Sequence, residues 1–390
     1  MPVFEIEEYK QRLANTKQAM EKEGLDVLII TDPANMNYIS GYDGWSFYVH
    51  QGLIIFNEKD QPVWFGREQD SNGARITTWI DHDNIHGYKD HYVQSNTCHT
   101  YDFVADLIKE YQYQSKTIGV EKDNYYFTAK SLEHLQQGLP DACIRDGELI
   151  VNWVRAVKSD KEIAIMKQAG KILENVMETA VHMIEPGVRE GDAAAEVYKA
   201  MIAGTTEFTG DYSAIIPIMP SGKRTTTAHL SWTDRRYKKD ETVLLELSGC
   251  KHRYHAPLSR TVITGKPPQK LDEISKTVIH GLNTVVDFIK PGVQAQEIEA
   301  KWRQSIAGSR VVKESRIGYA FGLNYPPDWG EHTISLRPGD TTVLVPGMTI
   351  HVMPGIWTDT LGFECSEAVY ITETGCETFA SVPRQLFVKQ

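Results

Sequence analysis

Residues 243–265 read VLLELSGCKHRYHAPLSRTVITG, with one acid, Glu246, eleven positions before a proline, Pro257. A carboxylate closing an apolar run can serve as a nucleophile or a general base. The plain alternative is a structural ion pair, for which Arg260 is the nearby cation. Pro257 stands in what otherwise reads as paired strand, where a ring without an N–H is tolerable only at an edge or a bulge. It could also merely end the strand. Side chains alternate along a strand, so His255 shares the face of Pro257, and His351 in HVMPGIW shares that of Met353. Further reactive or aromatic groups stand in TTTAHLSWTDR (His229, Trp232), GYAFGL (Tyr319) and LNYPPDWGE (Tyr325, Trp329), with Tyr254 and Glu367 beside them. A cation over an aromatic face gains about 0.5–2 kcal/mol. For each of these side chains, packing in a core or a loop is the competing role.

The elements around these residues fall into two halves. At the start, Tyr9, Leu13, Thr16 and Met20 recur at helical spacing, and Gly24 ends the helix before the buried strand LDVLIIT. DPANMNYISGYDGWSFYVHQ, GLIIF and PVWFG read as strands and turns. A helix near 101–113, the strand TIGVE and a helix near 128–138 complete an α/β unit spanning 1–155. Ser159 and Glu162 then form a capping box that opens a long helix. From there, 156–390 read as an α+β unit of helices followed by strands. This second half repeats itself: MIEPGVREGDAAAEVYKAM (183–201) matches FIKPGVQAQEIEAKWRQSI (288–306) in its PGV turn and following amphipathic helix. A duplicated half-domain implies a pseudo-twofold axis, with a site drawn from both copies.

The composition narrows the choice of function. A formal charge of −11, with no Lys/Arg cluster, argues against nucleic acid as partner. Five dispersed cysteines without a CxxC fit reduced thiols. The N-terminus has no signal-peptide pattern, and no apolar run reaches the roughly 20 residues needed to span a bilayer. The expectation is a cytoplasmic protein with no membrane partner.

The VKSDKEI boundary, the paired PGV segments, LLELSGCKHRYHAPLSRT, GYAFGL and HVMPGIW followed by AVYITETG resemble the pita-bread family, which includes creatinase, prolidase, aminopeptidase P and methionine aminopeptidase. The resemblance spans nearly the whole chain. It implies a creatinase-like N-terminal domain and a pita-bread catalytic domain. The family's metallopeptidases hold two metal ions on two Asp, one His and two Glu. Those positions fall here on Glu246, Pro257, Tyr319, Met353 and Ser366, with Glu367 next door. Hard divalent ions want carboxylate and imidazole donors. The substitutions therefore predict a site rebuilt without metal or other cofactor, with Pro257 filling space that a ligand and its ion would take.

By the same resemblance, creatinase sets the precedent of metal-free hydrolysis of a planar cation. His229 aligns with the family's proton-handling histidine, and Glu246 is the one acid retained at the ligand positions. YDGWSFYVHQ, CKHRYHAPLSRTV, LNYPPDWGE, SLRPGD and VPRQLFVK narrow the likeness to the ectoine hydrolase branch. That branch implies opening of the cyclic amidinium ring of ectoine to N-acetyl-L-2,4-diaminobutyrate, with hydroxyectoine as a second candidate substrate. Glu246 and His229 are then the catalytic candidates. The substrate-binding candidates are Trp232, Tyr254, His255, Tyr319, Tyr325, Trp329, His351, Met353 and Glu367. Creatinase-like dimers complete each site with a loop from the partner's small domain. The matching stretch is 41–51, with Trp45, Phe47, Tyr48, His50 and Gln51, and Arg67 is a candidate for the substrate carboxylate. A creatinase-like enzyme on another guanidino acid, a metal-dependent Xaa-Pro peptidase and a catalytically dead binding module remain as alternatives.

Overall fold

A computed structural model describes residues 2–390. The chain divides into a unit ending at Arg155 and a unit beginning at Ala156. In the first, the helix Ile6–Lys22 buries Tyr9, Leu13, Thr16 and Met20 on one face. A six-stranded mixed sheet has Val27–Ile30 at its centre, antiparallel to Gly52–Phe56 and parallel to Thr117–Val120. Val27–Ile30 and Gly52–Phe56 are buried at every position, as apolar runs without alternation require. The helices Thr100–Glu110 and Ala129–Gly138 bury Val104, Ile108 and Leu135 in the same core.

Residues 33–40, read above as strand and turn, are a helix. Asp32 caps it through Ala34 N–H (2.8 Å), Pro33 occupies its first turn and Gly41 ends it at φ +83°. The Asp-Pro pair is a helix-start signal that outweighs the weak amphipathic pattern. Most of the aromatic stretch 41–51 is loop without regular structure.

In the second unit Ser159 and Glu162 form the capping box of the helix Asp160–Met183. The duplication is visible as two helix pairs, Asp160–Met183 with Glu190–Ala203 and Gln269–Phe288 with Ala295–Ser305. Each pair turns through a Pro-Gly step, with Gly187 at φ +93° and Gly292 at φ +87°. A side chain would be strained at either position, which is why both copies keep glycine. The strands form two larger sheets and a two-stranded ribbon, Ile356–Trp357 with Gly362–Phe363. A long hairpin, Glu241–Lys251 with Tyr254–Thr264, is joined by Leu386–Lys389. The other sheet runs in the order Gly330–Ser335, Gly318–Phe321, Thr349–Val352, Glu367–Ile371 and Cys376–Thr378. The candidate site lies where these two sheets meet.

Candidate active site

Register decides which side chains share the site. In the hairpin Glu246 lies opposite Ser259, Ser248 opposite Pro257 and Cys250 opposite His255. Facing partners in an antiparallel pair point to the same side, so Glu246, Pro257, Ser259 and His255 share one face. Their backbone groups point away from the partner strand. Glu246 N–H bonds the Ile218 carbonyl (3.0 Å) and His255 N–H the Gly322 carbonyl (3.0 Å), while Ser259 N–H bonds Ser366 Oγ (2.6 Å). Pro257 belongs to the same set, so its missing N–H removes nothing from the hairpin ladder. The outer side of this strand is bridged to Gly322–Leu323 at one end and to Glu364–Ser366 at the other, and Pro257 sits between.

Glu246 is 5% exposed, and its carboxylate takes no hydrogen bond from the described residues. Burial, with the nearby Asp328 carboxylate adding to it, pushes its pKa up to about 7. That is a base poised to change protonation near neutrality.

A second group is built on the neighbouring sheet. Tyr319 faces His351 across the pair Gly318–Phe321 and Thr349–Val352. The Trp329 indole N–H donates to Tyr319 Oη (2.9 Å), Tyr319 Oη meets His351 Nδ1 (3.0 Å), and His351 Nε2 meets Ser366 Oγ (2.7 Å). Burial, with Arg316 and Arg260 adding, pulls the His351 pKa down to about 3. The neutral ring has one N–H, so it donates at one end of this chain and accepts at the other. Burial and the Glu246 charge raise the Tyr319 pKa. Ser366 ties the two sheets by also accepting Ser259 N–H. Asp328 accepts Gly330 N–H (2.8 Å) and pairs with His332 (3.0 Å). Burial would raise its pKa, but those two hydrogen bonds outweigh burial and hold it low.

Several expected contacts are placed elsewhere. Tyr254 lies on the opposite face of its strand from His255, and its hydroxyl donates to Glu162 (2.8 Å). His255 is on the right face, but both ring nitrogens are used, by Ala214 N–H (2.9 Å) and the Gly322 carbonyl (3.2 Å). Burial lowers its pKa to about 4, so it is a neutral structural histidine. Glu367 is one step out of phase with Ser366 and is held by Arg260 (2.7 Å) and Arg384 (3.1 Å). It is a structural acid, corrected from the substrate-binding set, and Arg260 pairs with it rather than with Glu246. Trp232 packs edge-on to Tyr198 (5.7 Å). Tyr325 is buried beside Tyr212, and Met353 is half-buried against Gly355. His229 is exposed on the loop after Thr226, with no hydrogen bond to the Glu246 group. In the first unit Phe47 and Tyr48 line a cavity of about 360 Å³ with His50, Tyr88 and Tyr126, and Arg67 is paired to Asp90 (2.9 Å).

Sequence reasoning missed Glu364, Asp328, Lys313 and Arg316. Glu364 carried a usable signal: in GFECSE it lies two residues before Ser366 and so shares its face. The positions matching the family's metal ligands hold Glu246, Pro257, Tyr319, Met353 and Ser366. Tyr319 and Ser366 are both engaged by His351. This donor set does not fit a dinuclear centre, and the described residues contain no cluster of three or more His, Cys, Asp or Glu arranged to hold a metal.

Comparison with known proteins agrees with this architecture. Residues 164–373 match the model of metallopeptidase family M24, and residues 12–157 match the creatinase/prolidase N-terminal domain. An ectoine hydrolase from Halomonas elongata is 43% identical, covering 99% of this chain and 98% of the relative. A Xaa-Pro dipeptidase from Pyrococcus furiosus is 24% identical over 97% and 99%. The crystal structure of the prolidase from Pyrococcus horikoshii OT3 superposes with a TM-score of 0.81 at 22% identity, over 96% and 99%, which speaks for the fold. The chain belongs to metallopeptidase family M24, with the creatinase/prolidase N-terminal domain, and is a hydrolase acting on C–N bonds.

Proposed function

We propose that the protein opens the cyclic amidine ring of ectoine, yielding N-acetyl-L-2,4-diaminobutyrate, without a metal ion. The observation that carries this reading is Glu246: a buried carboxylate on the face of Pro257 and Ser259, without a hydrogen-bond partner among the described residues, where the family has a metal ligand. A cationic substrate supplies the charge that such an acid lacks. The relative from Halomonas elongata supports the choice of an amidine over a guanidino acid or a proline peptide.

In this reading Glu246 attacks the electrophilic amidine carbon to give a tetrahedral adduct, and one ring C–N bond breaks as its nitrogen takes a proton and leaves as an amine. Water then adds to the carbon and releases Glu246, leaving the acetamide. Acting instead as base on an attacking water, Glu246 would occupy the same place. His229 carries the proton to or from a ring nitrogen. Trp329 and Tyr325 wall the cation, with Tyr319 and His351 fixed as the polar edge and Met353 against the substrate methyl. The protein works as a cytoplasmic homodimer in which loop 41–51 completes the partner's site.

The test is incubation of purified protein with ectoine, with and without a chelator. Ring-opened product at equal rate in both is expected. No product in either overturns the substrate, and loss of product with chelator overturns the metal-free reading.

A further inference from the structure

Four polar atoms on one wall of this site are buried without a completed hydrogen bond: both carboxylate oxygens of Glu364, the Ser259 hydroxyl and the Trp357 indole N–H. Glu364 is 1% exposed. Its backbone is fixed by Thr261, whose Oγ1 accepts the Glu364 N–H (2.8 Å) and donates to the Glu364 carbonyl (2.8 Å). The side chain leaves the segment on the same side as Ser366. Ser259 and Trp357 face the carboxylate, and Glu246, the cross-strand neighbour of Ser259, is close enough to interact with it electrostatically. Lys313 is the cation alongside. Two of its three ammonium N–H groups go to the Gly355 carbonyl (2.9 Å) and the Ser315 hydroxyl (3.0 Å), and it acts on Glu364 through charge without a direct ion pair.

A buried acid left unsatisfied costs about 1–3 kcal/mol or more. Other buried acids of this chain avoid that cost: Glu331 is paired with Lys158, Glu367 with Arg260 and Glu190 with Arg235. Glu246 and Glu364 instead are two neighbouring buried carboxylates without an ion-pair partner, Glu364 meeting only the imperfectly aligned Trp357 N–H and Ser259 hydroxyl. The ligand that answers them carries positive charge and N–H donors. An amidinium does so, with its charge spread over two nitrogens that flank the carbon under attack.

We propose that Glu364 is the cation anchor of the site, accepting an amidinium N–H at the wall formed by Ser259 and Trp357 and so holding the amidine carbon against Glu246. This rests on the amidine reading above, and the experiment separates the two. Acetamidinium chloride serves as the probe, titrated calorimetrically into wild type, Glu364→Gln and Trp357→Phe, alongside ectoine kinetics and thermal unfolding. Glu364→Gln should weaken acetamidinium binding about ten- to hundredfold, the worth of a charge-assisted hydrogen bond. It should raise KM for ectoine more than it lowers kcat, with stability unchanged or higher. Trp357→Phe should weaken binding by less than about tenfold. Wild-type affinity in Glu364→Gln, or no acetamidinium binding by the wild type, overturns the anchor. A fall in stability together with affinity also overturns it, because the acid is then structural. Should Glu364→Gln not fold, unchanged affinity in Trp357→Phe decides against the anchor. If wild type leaves ectoine intact while acetamidinium binding depends on Glu364, the substrate falls and the anchor stands.

Discussion

Glu364 and Glu367 are three residues apart on one stretch of chain, at most 2% exposed, and face opposite ways. Glu367 is gripped by Arg260 and Arg384. Glu364 lies near Glu246 and meets only the imperfectly aligned Trp357 N–H and Ser259 hydroxyl, with no cation bonded to it. Burial is the same for both, so burial does not mark the functional acid. The presence or absence of a paired cation does. A paired acid contributes to folding, whereas an unpaired one costs stability that only a ligand can offset.

The comparison breaks first at Glu246, the other unpaired acid. Glu246→Gln should lower ectoine turnover by about a thousandfold, measured by steady-state kinetics. Its effect on stability should run the other way. Burial and Asp328 raise the folded-state pKa of Glu246 to about 7, above its ordinary value in the unfolded chain. The stability tied to its proton is full below the ordinary carboxylate range and lost as pH rises through about 7. The glutamine variant escapes that loss, so its advantage over wild type should grow between about pH 5 and 8, on the order of 2 kcal/mol, in denaturant unfolding.

Glu367 should behave in the opposite sense. Glu367→Ala strands a fully buried guanidinium and should destabilise the protein by about 3 kcal/mol in the same assay. Joint replacement of Arg260 by Met and Glu367 by Leu should not recover that loss, because Arg260 also donates to the carbonyls of Ser259, Ser366, Val382 and Pro383. Equal destabilisation by Glu367→Ala and Glu364→Gln would erase the distinction. The smallest effect is expected at Tyr319→Phe, which removes the hydroxyl linking Trp329 to His351. It should cost about 1 kcal/mol of stability, and about tenfold in kcat/KM if that chain positions the wall.

The shared face of His255 and Pro257 was legible through period-two alternation, but the hairpin that sets Glu246 opposite Ser259 was not, because its turn is His252-Arg253 at positive φ and lacks the Gly or Asn that marks such turns. The duplicated helix pairs were legible through their Pro-Gly turns. Glu364 was not, because the family match falls on Ser366 and draws in its sequence neighbour Glu367, whereas the acid on the same face as Ser366 is two residues away. Tyr254, taken as one of the aromatic groups around the site, lies one residue from the face of His255. His255 failed differently. Its partners, Ala214 and Gly322, lie 41 and 67 residues away, and no local pattern announces a ring nitrogen satisfied from such distances. The helix at 33–40 was hidden by a short, almost uniformly buried sequence with little amphipathic contrast.

Pro257 has a consequence for access. The outer side of its strand is bonded to one segment at His255 and to another at Ser259, and those two segments part company at the proline. With an N–H there, either segment could extend its pairing by a further hydrogen bond and close the gap. With the pyrrolidine ring there, no backbone hydrogen bond spans that point, so a ligand entering between the two segments has none to break.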